Sequence, residues 1–226
     1  MIFTKKFPKS ITAECYRNIR TSLEYSSIDR KLRTIVITSS EAGEGKSTVA
    51  SNLAYILSQG GKRIILIDCD LRKPSLHRKF GESNEKGLTG YLIGKYSLDD
   101  AVKEIDDNLH LLTSGNIPPN PAEVIASRGM EELIEELKYH YEHIILDTPP
   151  VRAVTDGQIL AGKSDGTVLV VMAEKTKSDS IMQGYKELEK VRARVLGTII
   201  NGASTDRREA YYYDYSTNSR RKKKNK

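Results

Sequence analysis

A chain of 226 residues with 38% hydrophobic and 29% charged residues has the size and balance of one sizeable globular domain with room for tails. Its longest apolar runs, such as TVLVVMA, are far too short to span a bilayer, and the opening MIFTKKFPKS lacks the apolar stretch and cleavage site of a secretory leader. Cys15 and Cys69 have no paired spacing, which argues against a disulfide framework and fits a reducing, cytoplasmic setting.

In chain order, the segment ITAECYRNIRTSLEYSS reads as a helix, and RTIVITSS as a buried, β-branched strand. KSTVASNLAYILSQGG reads as a helix closed by glycine, and KRIILIDCD as a second strand. After a polar stretch, NLHLLTSG reads as a short strand. PAEVIASRGMEELIEELKYHY reads as one or two helices, with Pro121 suited to a first turn. EHIILDTPP is a strand, TDGQILAGKS a short helix, DGTVLVVMA a strand, KSDSIMQGYKELEKVR a helix and RVLGTIIN a last strand. Continuous apolar strands alternating with amphipathic helices predict an α/β fold, a parallel β-sheet with helices on both faces. The chain divides into an N-terminal segment (1–30), an α/β domain (31–203) and a tyrosine-rich basic tail (204–226).

The tail holds eight Lys/Arg against three Asp/Glu, so the net charge of +6 is mostly a tail property. Such a tail suits phospholipid, nucleic acid or an acidic partner, or is simply a solvated end. It also contains EAYYYDYS, which packs Tyr211, Tyr212, Tyr213 and Tyr215 into five residues.

The strongest local signal is SSEAGEGKST, which follows a strand and opens a helix. Gly43 and Gly45 free backbone N–H groups to face a polyphosphate, with Glu44 and Thr48 completing the loop. Lys46 brings positive charge to the β- and γ-phosphates, and Ser47 a hydroxyl to Mg²⁺. Ser40 stands where the usual phosphate loop has its first glycine, which marks a variant loop. Asp68 and Asp70 in ILIDCDLRKP, and Asp147 in IILDTPP, lie at strand C-termini, the edge where open parallel sheets bind ligands. Asp147 and Asp70 fit Mg²⁺ contacts, and Asp68 fits a base for the attacking oxygen. Sequence leaves the roles of Asp68 and Asp70 interchangeable.

With these motifs the chain resembles the bacterial tyrosine kinases of capsule and exopolysaccharide systems, in the Gram-positive form whose cytoplasmic kinase is separate from its membrane activator. The loop, both aspartate motifs, the tyrosine cluster and ECYRNIR, with Glu14, Arg17 and Arg20 spaced in threes, carry the resemblance. Ala42 departs from a frequent proline. The resemblance implies a P-loop NTPase of the partitioning-ATPase-like, variant-loop type that uses ATP and Mg²⁺ and phosphorylates Tyr211, Tyr212, Tyr213 and Tyr215. It also implies a ring, an octamer in the family, joined through Glu14, Arg17 and Arg20, the other reading of that helix being a solvated charged face. The implied partners are a transmembrane activator (a polysaccharide co-polymerase), a cognate phosphotyrosine phosphatase and protein substrates, with no nucleic acid. The implied location is cytoplasmic and peripheral to the membrane.

The competing reading is a partitioning-type switch ATPase that binds a partner or membrane surface without phosphorylating protein. Those ATPases carry an additional lysine early in the loop, where this chain has Glu41. A non-catalytic assembly scaffold that retains nucleotide is a third reading. The ten residues from Asn201 to Tyr211 span at most about 35 Å, so a tail leaving the nucleotide edge has slack to reach a site.

Overall fold

A computed structural model describes residues 2–26 and 31–204. The tyrosine cluster lies outside the described residues.

β1 (Thr34–Ser39), β2 (Ile64–Asp68), β4 (Leu109–Leu112), β5 (His143–Asp147), β6 (Gly166–Met172) and β7 (Val195–Asn201) run parallel in one sheet. β3 (Val102–Asp106) completes it, giving the order β3-β4-β2-β5-β1-β6-β7. Every residue of β1 and β2 is buried, as expected of strands covered on both faces.

One face is covered by α3 (Lys46–Ser58) and, outside it, α2 (Ile11–Ser26). Val49, Leu53 and Leu57 of α3 pack with Ile35, Ile37 and Leu66 of the sheet, and Tyr16 and Leu23 of α2 join the same cluster. The opposite face carries α7 (Pro121–Ala126), α8 (Arg128–His140), α9 (Asp156–Lys163) and α10 (Ser178–Lys190), whose Ile125, Leu133, Leu160 and Leu188 pack on Val36, Ile65 and Leu146. Ser127 separates α7 from α8; its extended backbone breaks the helix and its hydroxyl accepts the Met130 N–H. The remaining helices are short: α1 (Phe3–Lys6), α4 (Leu76–Phe80), α5 (Leu88–Leu92) and α6 (Leu98–Ala101).

β3 differs from the expected all-parallel sheet, because it pairs antiparallel with β4 and carries a register shift between Glu104 and Asp106. Its VKEID sequence is half-exposed along its length, so it lacks the apolar run that marks the inner strands. Among the described residues no helix is long and apolar enough to cross a membrane.

The strand order places the site. β1 lies between β5 and β6; the chain leaves β1 toward β2 and later returns from β5 across to β6. A crevice at such a reversal, outside the strand C-termini, is where open α/β sheets hold ligands.

Candidate active site

The loop from Ser39 to Gly45 leaves β1 and enters α3 at Lys46. Gly43 and Gly45 have φ of 85° and 89°, left-handed values that cost glycine little. A Cβ on Gly45 would sit 2.0 Å from Asn201 Nδ2. That amide donates to the Glu44 carbonyl at 3.1 Å, so the end of β7 holds the loop in place. The buried Glu44 side chain turns inward: its carboxylate accepts the Glu41 N–H at 2.7 Å and bonds the Thr176 hydroxyl. Glu44 thus offers a phosphate its backbone, while its side chain braces the loop against the end of β6.

Glu41 faces outward. Its Oε1 accepts from Arg152 Nη1 at 2.8 Å and from Ser180 Oγ at 2.6 Å. The Ser180 hydroxyl, then burial in the opposite sense, then Arg152 set the balance that holds this carboxyl below its ordinary range.

Lys46 and the three aspartates meet as the sequence predicts. Lys46 Nζ lies 2.9 Å from Asp70 Oδ2, 3.5 Å from Asp147 Oδ1 and 3.2 Å from Ser47 Oγ. Burial works against the ammonium, but Asp147 and Asp70 outweigh it and hold Lys46 above the usual lysine range. Asp68 and Asp147 stand opposite each other on β2 and β5, and both are fully buried. Asp68 Oδ2 accepts the N–H groups of Ser75 and Leu76 at 3.0 and 2.9 Å, and Oδ1 that of Asp70 at 3.3 Å. Burial, then the Asp147 charge, push the Asp68 carboxyl up to about 7 against those donors. Burial likewise raises Asp147, against Lys46 and Ser47.

These contacts separate Asp68 from Asp70 in a way the sequence does not. Asp68 orders the loop that leads into α4, and Asp70 pairs with Lys46.

The donor set fits Mg²⁺. Among the described residues no donor makes a well-formed hydrogen bond to either oxygen of the buried Asp147 carboxylate, Lys46 Nζ standing off at 3.5 Å, and the Ser47 hydroxyl and Asp70 lie around the same ammonium. Among the described residues no group of three or more His, Cys, Asp or Glu side chains forms a metal cage. Mg²⁺ does not need one, since it takes one or two carboxylates and completes its shell with phosphate oxygens and water.

Two contacts around the site join residues distant in the chain. Arg72 donates through Nε and Nη2 to the fully buried Asp156 carboxylate at 3.0 and 3.1 Å, clamping the loop after β2 to the start of α9. Lys79 Nζ of α4 donates to Thr48 Oγ1 at 2.8 Å. Glu14, Arg17 and Arg20 stand apart from this site on α2. Arg17 pairs with Glu14 through Nε at 2.7 Å, and Arg20 Nη1 donates to the Ile56 carbonyl at 3.3 Å.

Residues 32–200 match the family described as an AAA domain. The chain is 44% identical to "Tyrosine-protein kinase YwqD" of Bacillus subtilis (strain 168), over 91% of this chain and 87% of that protein. It is 37% identical to "Putative tyrosine-protein kinase CapB" of Staphylococcus aureus, over 92% of each. Its fold superposes on the crystal structure of the chimerical protein CapA2B2 with a TM-score of 0.87 at 37% identity, covering 90% of each chain.

Proposed function

This chain belongs to the capsule-associated bacterial tyrosine-protein kinases, which carry an AAA-type nucleotide domain, and from that premise we propose how its site works and what it acts on. It moves the γ-phosphoryl group of ATP onto tyrosine hydroxyls, beginning with Tyr211, Tyr212, Tyr213 and Tyr215. The carrying observation is the convergence of Lys46 with Asp70 and Asp147, beside Asp68, at the ends of two adjacent strands.

Each residue's part follows from its surroundings. Backbone N–H groups of the loop from Gly43 to Thr48 cradle the phosphates, and Lys46 neutralises charge on the β- and γ-phosphates. Ser47, Asp70 and Asp147 hold Mg²⁺, which when bound stabilises charge on the transferring and leaving oxygens. Asp68 takes the tyrosine proton; tyrosine titrates near 10, and a carboxylate raised to about 7 is a better acceptor than an ordinary one. As that proton leaves, the phenolic oxygen bonds to the γ-phosphorus, the bond to the β-phosphate oxygen breaks, and ADP departs.

Tail phosphorylation replaces a basic end with about −1.5 to −2 charges per phosphate. Subunits assembled in a ring then repel, which gives phosphorylation a route to disassembly. The contact runs through α2, head to tail, in a rotation that closes, and an octamer matches the family. The partners are a transmembrane activator that brings the kinase to the membrane, a phosphotyrosine phosphatase and further protein substrates.

Two variants test this reading. With Tyr211, Tyr212, Tyr213 and Tyr215 changed to Phe, labelled ATP and Mg²⁺ should leave under a tenth of the wild-type alkali-stable label, with ATP affinity unchanged. Label persisting on other tyrosines would move the acceptor elsewhere. Label released only as free phosphate by the wild type would favour the switch-ATPase reading. In the second variant, Glu14, Arg17 and Arg20 all become Ala. Because their visible contacts are one intrahelical pair and two bonds to backbone carbonyls, of Pro8 and Ile56, the fold should survive and light scattering should report a monomer. An unchanged mass would make α2 a solvated face.

A further inference from the structure

Lys46 brings the phosphate loop a charge that is already answered, because its Nζ is shared between Asp70 and Asp147. Those carboxylates follow β2 and end β5, on one side of β1. The other side of β1 belongs to β6 and β7, and the turn after β6 brings a second lysine to the same loop. Lys175 Nζ lies 3.8 Å from the point where a Cβ on Gly43 would stand. Lys175 is exposed, and no carboxylate pairs with it among the described residues.

The turn that carries Lys175 is fixed to the loop. Glu174 has φ of 59°, one of two non-glycine residues with positive φ among the described residues, in a region few side chains tolerate. Thr176 closes the turn: its N–H donates to the Met172 carbonyl at 3.0 Å, and its hydroxyl accepts the Met172 N–H at 2.9 Å. The same hydroxyl bonds the Glu44 carboxylate. On the other flank the Ala173 N–H donates at 2.8 Å to the carbonyl of Asn201, whose amide reaches the Glu44 backbone. A left-handed residue kept inside such a lock points to a side chain whose direction matters. Lys177, two residues on, serves elsewhere; it lies close enough to Glu41 to help hold that carboxyl down.

We propose that Lys175 binds the inner phosphates of the nucleotide, those shared by ATP and ADP, from the β6 side of the loop. This rests on the nucleotide-site reading above and adds the direction in which the nucleotide lies. With the γ-phosphate at Lys46, Asp70 and Asp147, the rest of the chain crosses the loop away from β5 and β2, toward Gly43 and Lys175. A cation with no carboxylate beside it gives its full charge to an incoming anion, and it adds to the N–H groups that the loop supplies. Lys175 thus holds diphosphate and triphosphate alike, while the Lys46 side tells them apart.

The test is binding rather than turnover. Full-length wild type, Lys175→Gln, Lys175→Arg and Lys177→Gln are titrated calorimetrically with ADP and with a non-hydrolysable ATP analogue, each with Mg²⁺. Lys175→Gln keeps the stem of an exposed side chain, so the fold is not at risk. It should weaken both nucleotides about fivefold and leave their ratio unchanged, and Lys175→Arg should restore both. Lys177→Gln should stay within about twofold of wild type. The loss should shrink between about 0.05 M and about 0.5 M salt. Unchanged ADP affinity in Lys175→Gln overturns the assignment, and so does an equal loss in Lys177→Gln, which would reduce the effect to general surface charge. Lys46→Met is the separate control: if it binds the triphosphate like wild type, the nucleotide-site reading itself fails, whatever Lys175 does.

Discussion

Lys46→Met is expected to abolish tyrosine labelling, reducing transfer by at least about 100- to 1,000-fold, the range for removing a preorganised charge stabiliser. It should also destabilise the nucleotide-free protein. Lys46 is the cation shared by Asp70 and the fully buried Asp147. Without it two carboxylates remain beside Asp68, and breaking a buried pair from one side costs about 3 kcal/mol at neutral pH. The sign of the pH dependence follows from Asp147, whose carboxyl burial raises and Lys46 holds down. Removing Lys46 lifts its folded-state pKa further above the unfolded value near 4. The folded variant then holds a proton that the unfolded chain has released, so its stability falls as pH rises above about 4. Thermal unfolding of both proteins at pH 4.5 and 7.5 should show the gap widening with pH. A gap independent of pH would mean that Lys46 does not neutralise these carboxylates.

Arg72→Ala is expected to cost about 2 kcal/mol, a figure set below the usual range for a broken buried pair because the Arg72 side chain is 40% exposed and partly screened by water. The loss falls on Asp156, which is fully buried and keeps only its place in the first turn of α9 as compensation. Asp156→Ala should cost less, because Arg72 can turn into solvent whereas Asp156 cannot. Urea midpoints give the ranking, and equal costs would remove the argument from burial. Transfer should fall in Arg72→Ala beyond any loss of stability, since Arg72 is two residues from Asp70 and clamps the loop that presents it.

Much of this kinase was legible in its sequence because the signals are local. A β-branched run, a glycine loop and a helix in succession predict the phosphate cradle at Gly43 to Thr48 without reference to anything distant. Apolar strands that end in aspartate predict Asp68 and Asp147 at one edge, since parallel strands share their C-terminal side, and the two face each other on β2 and β5. The sequence also carries the membership: the loop, the two aspartate motifs and the charged helix are each contiguous.

What it leaves open depends on where the chain folds back. β3 reads as a polar linker because an edge strand buries little and shows no apolar run; only β4 beside it makes VKEID a strand. Glu44 reads as part of the phosphate loop, and only the return of the chain shows that its side chain meets Thr176 and its carbonyl Asn201, bracing that loop. Asp156 sits 84 residues from Arg72 and Thr48 sits 31 from Lys79. A charged side chain's partner is chosen by proximity in space and by what burial leaves unsatisfied, and no spacing along the chain encodes either. Local pattern therefore determined which charged groups gather at this sheet edge, and tertiary structure decided how they pair there and which distant residues brace them.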